Sequence, residues 1–180
     1  MKQLVFAVLF VCAAPNALAE KLPTDAELRS AYCLTVLKTT LQEQQNYEQE
    51  LSENVENLEN GRPAAGVYES IPLNKLQEML ASVRQGLSVA RSAQNRLQLY
   101  LVPRLQYLDS FSILGASKRA ETDLKDLDGL SRTPLFQQCV TKCFTGQAEG
   151  DTCLNKCLGP TNAALRARIT SCSRPTWLPF

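Results

Sequence analysis

Cysteine spacing constrains this chain more than any other feature. The sequence holds seven cysteines: Cys12, Cys33, Cys139, Cys143, Cys153, Cys157 and Cys172. Cys12 lies in an apolar N-terminal run and is expected to leave with it, so six remain. An even count in an exported chain reads as a disulfide framework. Cys139 and Cys143 are four residues apart, as are Cys153 and Cys157. Side chains at i and i+4 share one face of a helix. Two such helices packed antiparallel can pair Cys139 with Cys157 and Cys143 with Cys153. Both pairs have residue numbers summing to 296, so one register closes both bonds. Cys33 is then left for Cys172, which would tie the start of the chain to its last helix.

The N-terminus supports export. Lys2 supplies a positive charge, residues 4–14 carry no charge, Pro15 and Asn16 break the run, and Ala17, Leu18 and Ala19 form a small-x-small site. This order matches a secretory signal peptide over residues 1–19. The apolar run is shorter than the ~20 residues a membrane-spanning helix needs. A lipoprotein signal would place a small residue before Cys12, where Val11 stands. No later segment is apolar enough to span, so residues 20–180 are expected to form one soluble domain without a transmembrane helix.

Removing Lys2 from the 19 basic residues leaves 18, against 18 acidic ones. A net charge near zero argues against a nucleic-acid binder held by phosphate contacts. The chain has no histidine. That excludes His-assisted serine or cysteine catalysis, His-ligated zinc and haem, and His-based pH switching. No cofactor or metal site is expected.

Over residues 24–102 the pattern predicts a long antiparallel helical hairpin. Thr24 and Glu27 have capping-box spacing, and neither proline nor glycine follows until Gly61. Leu34, Leu37, Leu41, Gln44, Glu48, Leu51, Val55 and Leu58 recur in steps of three and four. Residues 60–63 then stop the helix. After Pro72 the same alternation returns in Leu76, Leu80, Val83, Leu87, Ala90, Gln94, Leu97 and Leu101. Facing layers such as Val55/Leu80, Leu51/Val83 and Leu37/Leu97 keep sums of 134 or 135. The same register sets Glu59 against Lys75, Glu50 against Arg84 and Glu43 against Arg91. In its middle Glu48 faces Leu87, Gln44 faces Ala90 and Leu41 faces Gln94. That stretch is either a loosely packed segment covered by other helices or a groove for a partner helix or apolar ligand. Gln44, Glu48, Leu51 and Leu87 are therefore candidate partner-binding residues.

Residues 103–180 read as a cysteine-stapled helical end with an aromatic tail. Pro103 is expected to kink the second helix. Leu105, Leu108 and residues 111–114 would continue its apolar face, residues 116–127 form a charged helix, and Asp128, Gly129 and residues 131–134 read as loop. Thr133 before Pro134 suits a helix start. The twin C-x3-C pattern resembles the stapled helices of small mitochondrial intermembrane-space chaperones and of plant α-hairpinin peptides. That resemblance covers only residues 139–157 and implies a helical hairpin, not an activity. Structural zinc would favour C-x2-C or C-x4-C spacing.

The fold expected is all-α: a long antiparallel hairpin packed against a disulfide-stapled C-terminal bundle. No nucleophile elbow, P-loop, dinucleotide fingerprint or zincin motif occurs. The carboxylates Asp109, Glu121, Asp123 and Asp126 read as solvated helix faces, leaving an acid-pair hydrolase of glycans as an alternative function. A carrier of apolar ligands is another. The tail holds the single tryptophan, Trp177, with Leu178 and Phe180. These either cover the hairpin base or dock a partner. The leading expectation is an exported, non-enzymatic interaction protein whose partner is another protein.

Overall fold

The computed structural model describes residues 20–144 and 150–178. The leader expected over residues 1–19, part of the linker between the C-x3-C helices, and Phe180 lie outside the described residues. Among the described residues the fold is all-α, as expected. It comprises α1 (Asp25–Glu59), α2 (Leu73–Leu101), α3 (Ser110–Ser131), α4 (Pro134–Phe144) and α5 (Gly150–Thr170), with short 3₁₀ turns between.

The start of α1 is the capping box. Thr24 Oγ1 accepts the Glu27 N–H at 3.3 Å, and Glu27 Oε2 accepts the Thr24 N–H at 2.8 Å. The 35 residues of α1 extend about 52 Å. The helix stops where Gly61 takes a φ of 70°, a left-handed conformation open to glycine without a Cβ penalty. The loop beyond is pinned by the buried Asn54. Its Oδ1 accepts the Ala65 N–H at 2.7 Å, and its Nδ2 donates to the Glu50 carbonyl at 2.8 Å. Tyr68 packs beneath, and Pro72 opens α2, which returns antiparallel to α1.

Two apolar clusters hold this hairpin. At the tip, Leu51 and Val55 pack with Leu76, Leu80, Ala64 and Tyr68. At the base, Val36, Leu37 and Leu41 pack with Leu87, Ala90, Leu97 and Leu101. Between Leu41 and Leu51, α1 buries no residue, so the weak stretch in the heptad pattern is a real interruption of the seam. The charge partners differ from the paper register. Arg84 reaches Glu48 at 2.8 Å rather than Glu50, Glu59 meets Gln77 at 2.9 Å, and Lys75 turns along its own helix to Glu78 at 2.7 Å. Long exposed side chains choose among several reachable partners at almost equal free energy. Their pairing therefore follows rotamers, not backbone register.

Pro103 does more than kink the helix. α2 ends at Leu101, residues Val102–Tyr107 form a 3₁₀ turn, and α3 starts anew. Asp109 caps α3 by accepting from Ser112 N at 2.9 Å and Phe111 N at 3.3 Å. α3 runs alongside α1 in the same direction, since Lys21 bridges Leu108 and Tyr32 bonds Asp123. This elbow breaks the expected apolar continuation. Leu108 is buried, whereas Leu105, Phe111 and Leu114 face out. Asp128 and Gly129, expected in a loop, lie inside α3. Helical glycine costs about 1 kcal/mol, and the packing of Leu124, Leu127 and Leu130 on the same helix offsets it.

Thr133 Oγ1 accepts the Phe136 N–H at 3.2 Å and opens α4. α5 breaks at Gly159, whose φ is 79°, so that Pro160 begins a second helical run. Three disulfides close the fold, and they are the pairs that the cysteine spacing selects. Cys139–Cys157 and Cys143–Cys153 staple α4 to α5 with Cα separations of 5.7 and 5.5 Å. Cys33–Cys172 joins α1 to the 3₁₀ turn after α5, with Cα atoms 5.1 Å apart.

A disulfide stabilises chiefly by restricting the unfolded chain, and the effect grows with loop length. Sequence separations of 139 and 10 give about 5 and about 3 kcal/mol respectively in that treatment. Urea unfolding of the paired variants C33S/C172S and C143S/C153S should show the larger loss in the first. A larger loss in the second would contradict the loop-entropy account.

Candidate functional site

Three surfaces bring functional-type side chains together. The first is a groove of about 570 Å³ where α1, α3 and α5 meet, lined by Arg29, Tyr32, Arg119, Asp123, Arg168 and Ser171 among others. Asp123 lies at its centre. Arg168 donates to both carboxylate oxygens, at 3.0 and 3.1 Å, and the Tyr32 hydroxyl donates to Oδ2 at 2.7 Å. The arginine hydrogen bonds hold the Asp123 carboxyl below its ordinary range, with Tyr32 adding to the effect. Burial, reinforced by Asp123, pushes the Tyr32 hydroxyl up. Arg29 donates to Ser171 Oγ at 3.3 Å and lies over the Trp177 ring, 3.8 Å from its centroid.

The other candidate carboxylates are placed differently. Asp109 spends its oxygens capping α3, and the Ser112 hydroxyl holds it below the ordinary range. Glu121 and Asp126 are exposed on α3. A general acid at neutral pH needs a carboxyl shifted upward; Asp109 and Asp123 are both shifted downward. Among the described residues, no group of three or more histidine, cysteine, aspartate or glutamate side chains could hold a metal ion.

The second surface is the interrupted hairpin seam, an open groove of about 550 Å³ whose lining includes Glu48, Arg84, Leu87 and Arg91. Gln44 is exposed and Glu48 is half-buried in its ion pair with Arg84. Leu51 and Leu87 are buried in the tip and base clusters respectively, so a partner at the seam meets Gln44 and Glu48 first. In the tail, Leu178 is buried in the base cluster and Trp177 packs against it under Arg29. Phe180 lies outside the described residues.

The third surface was not read from the sequence. At the elbow between α2 and α3, Phe111 is 84 % exposed, Leu99 75 % and, close by, Leu22 77 %. Val102, Leu105, Tyr107 and Leu114 are also exposed. Leu22 belongs to this corner because Lys21 exchanges backbone hydrogen bonds with it. The Lys21 N–H donates to the Tyr107 carbonyl at 2.8 Å, and the Asp109 N–H donates to the Lys21 carbonyl at 3.0 Å. Residues 97–117 contain one base, Arg104, and one acid, Asp109. Both are occupied. Arg104 lies over the Tyr100 ring, bonds the Tyr100 carbonyl and approaches Glu27 at 3.9 Å. Large apolar side chains are thus exposed on both sides of the elbow, at the end of α2 and the start of α3. The available sequence signal was Leu99, which falls outside the heptad series that places Leu97 and Leu101 in the core.

No protein-family model matches the chain, and no curated protein or solved structure matches it significantly.

The Asp123 site makes a pH prediction. Its folded pKa lies below the unfolded one, so the stabilisation is complete above the unfolded value near pH 4 and vanishes as pH falls through the folded pKa. Asp123→Asn should cost about 1–3 kcal/mol at pH 7. The gap to wild type should close in acid. A pH series of thermal melts checks this; a gap independent of pH would mean Asp123 contributes by shape alone.

Proposed function

We propose that this is an exported, non-enzymatic helical interaction protein, serving as an adaptor, a chaperone-like binder or an envelope component. The observation that carries the reading is the exposed apolar elbow. Burying large apolar side chains contributes roughly 1.5–3 kcal/mol each. A fold that leaves Leu99, Phe111 and Leu22 in solvent forgoes that free energy in the free state and recovers it on binding. Export is supported by the three disulfides, by the leader-like residues 1–19, and by the lack of a helix long and apolar enough to cross a membrane among the described residues.

The alternatives draw less support. A glycan hydrolase would need one carboxyl kept protonated, and the partners of Asp123 and Asp109 favour the ionised form. A carrier would need an enclosed apolar chamber, while the grooves described are open and lined with charge.

Affinity capture from the native envelope tests the reading with two double variants. L99S/F111S changes exposed elbow residues, and Gln44→Ala with Glu48→Ala changes the seam. Both should melt like wild type. The elbow variant should lose captured material and the seam variant should keep it. The opposite pattern would move the binding surface to the seam, and full capture by both would overturn the interaction reading.

A further inference from the structure

We infer that the groove between α1, α3 and α5 binds a small organic anion, its carboxylate or phosphate head on the arginines and its apolar body along the groove wall. The site lies away from the elbow, so it neither needs nor supports the interaction reading above. Its volume of about 570 Å³ is in the range of small-molecule sites. Arg29, Arg119 and Arg168 come from three different helices and line this one groove. Two carboxylates, Asp25 and Asp123, line it with them. Three guanidinium groups against two carboxylates leave one net positive charge.

These charges are not equally available to a ligand. Asp123 is already gripped on both oxygens by Arg168 and receives the Tyr32 hydroxyl, so that pair is neutral and fixed. Arg119 is exposed and makes no hydrogen bond or ion pair among the described residues. Its attraction to Asp123 acts at longer range and is shared with Arg168, which contributes more. Arg29 is held in place by the Trp177 ring, 3.8 Å from its centroid, and spends one donor on Ser171 Oγ at 3.3 Å. A guanidinium has five N–H donors, so others remain. Stacking has already restricted this side chain, which lowers the entropy lost when it engages a ligand. Asp25, exposed in the first turn of α1, is the one acid opposing them.

The planar fork of arginine matches carboxylate and phosphate oxygens alike. Leu28 and Ala116 add an apolar wall beside the cations. A groove that gathers oriented polar groups and apolar surface from several elements is where a small ligand binds.

The test titrates benzoate, phenyl phosphate and neutral benzamide into the oxidised full chain at low ionic strength. Calorimetry reads binding, and the fluorescence of Trp177, the single tryptophan, reads its place. At least one of the two anions should saturate, benzamide should not, and the fluorescence should shift with occupancy because Arg29 lies on the indole. The preferred anion names the head group. Arg119→Gln should weaken binding about tenfold or more. Arg62→Gln removes the same charge from the distant loop after α1 and should leave binding unchanged. Asp25→Asn removes the opposing acid and should tighten binding several-fold. Circular dichroism checks that each variant keeps the helical fold. Saturation by neither anion, or benzamide binding as well as benzoate, overturns the site. So does equal weakening by Arg119→Gln and Arg62→Gln, which would reduce the effect to overall charge. Saturation without a fluorescence change would place the anion elsewhere on the chain and overturns it too.

Discussion

The Cys33–Cys172 bond is the constraint on which the rest of the fold depends. It links the third turn of the long helix α1 to the chain beyond α5, across a sequence separation of 139 residues. Both sulfurs lie inside the base cluster, with Leu101, Ala116, Ala120, Leu165 and Ile169 around them. α2, α3 and α5 thus converge on one segment of α1. With the tail fixed at Cys172, Leu178 reaches the same cluster and Trp177 receives Arg29 on its face. The Arg168–Asp123–Tyr32 bonds sit one layer outside and tie α5, α3 and α1 together a second time.

Away from that base the structure relies on local devices. The tip has no covalent link; Asn54 anchors the loop backbone and the Leu51, Leu76 and Tyr68 cluster fills the space. The α4–α5 pair buries only a small core of Leu154, Leu158 and the cysteines. So little apolar area would not hold two short helices together, which is why two staples are needed there. The hairpin seam is interrupted between tip and base, and its Glu48–Arg84 pair, with Arg84 in solvent and Glu48 half-buried, is of small energetic worth.

The parts legible in the sequence were those governed by short-range or periodic rules. The capping box at Thr24, the stop at Gly61, the start at Pro72 and the heptad layers all express constraints within a few residues of each other. The disulfide pairing was legible because one antiparallel register satisfies two bonds. The Glu50–Arg84 and Glu59–Lys75 pairs were not, since exposed charges are not fixed by backbone register. Tyr32 and Arg168 escaped notice, and Asp123 read as a solvated helix face, because the three meet only once α3 has turned back along α1, and no pattern in the sequence states that turn. Gly129 misled for a related reason: its local preference for loop is outweighed by leucines whose burial depends on tertiary packing.

The elbow shows the same limit from the other side. Reading a proline as a kink assumes that the helix axis, and with it the apolar face, continues. Here Asp109 restarts the helix instead, with Phe111 N and Ser112 N bound to its carboxylate. The cap fixes the rotational phase of α3, and that phase turns Ala116 and Ala120 to α1 and Phe111 and Leu114 to solvent. Small residues on the inner face let α3 lie close to α1, and the large apolar residues are left outside.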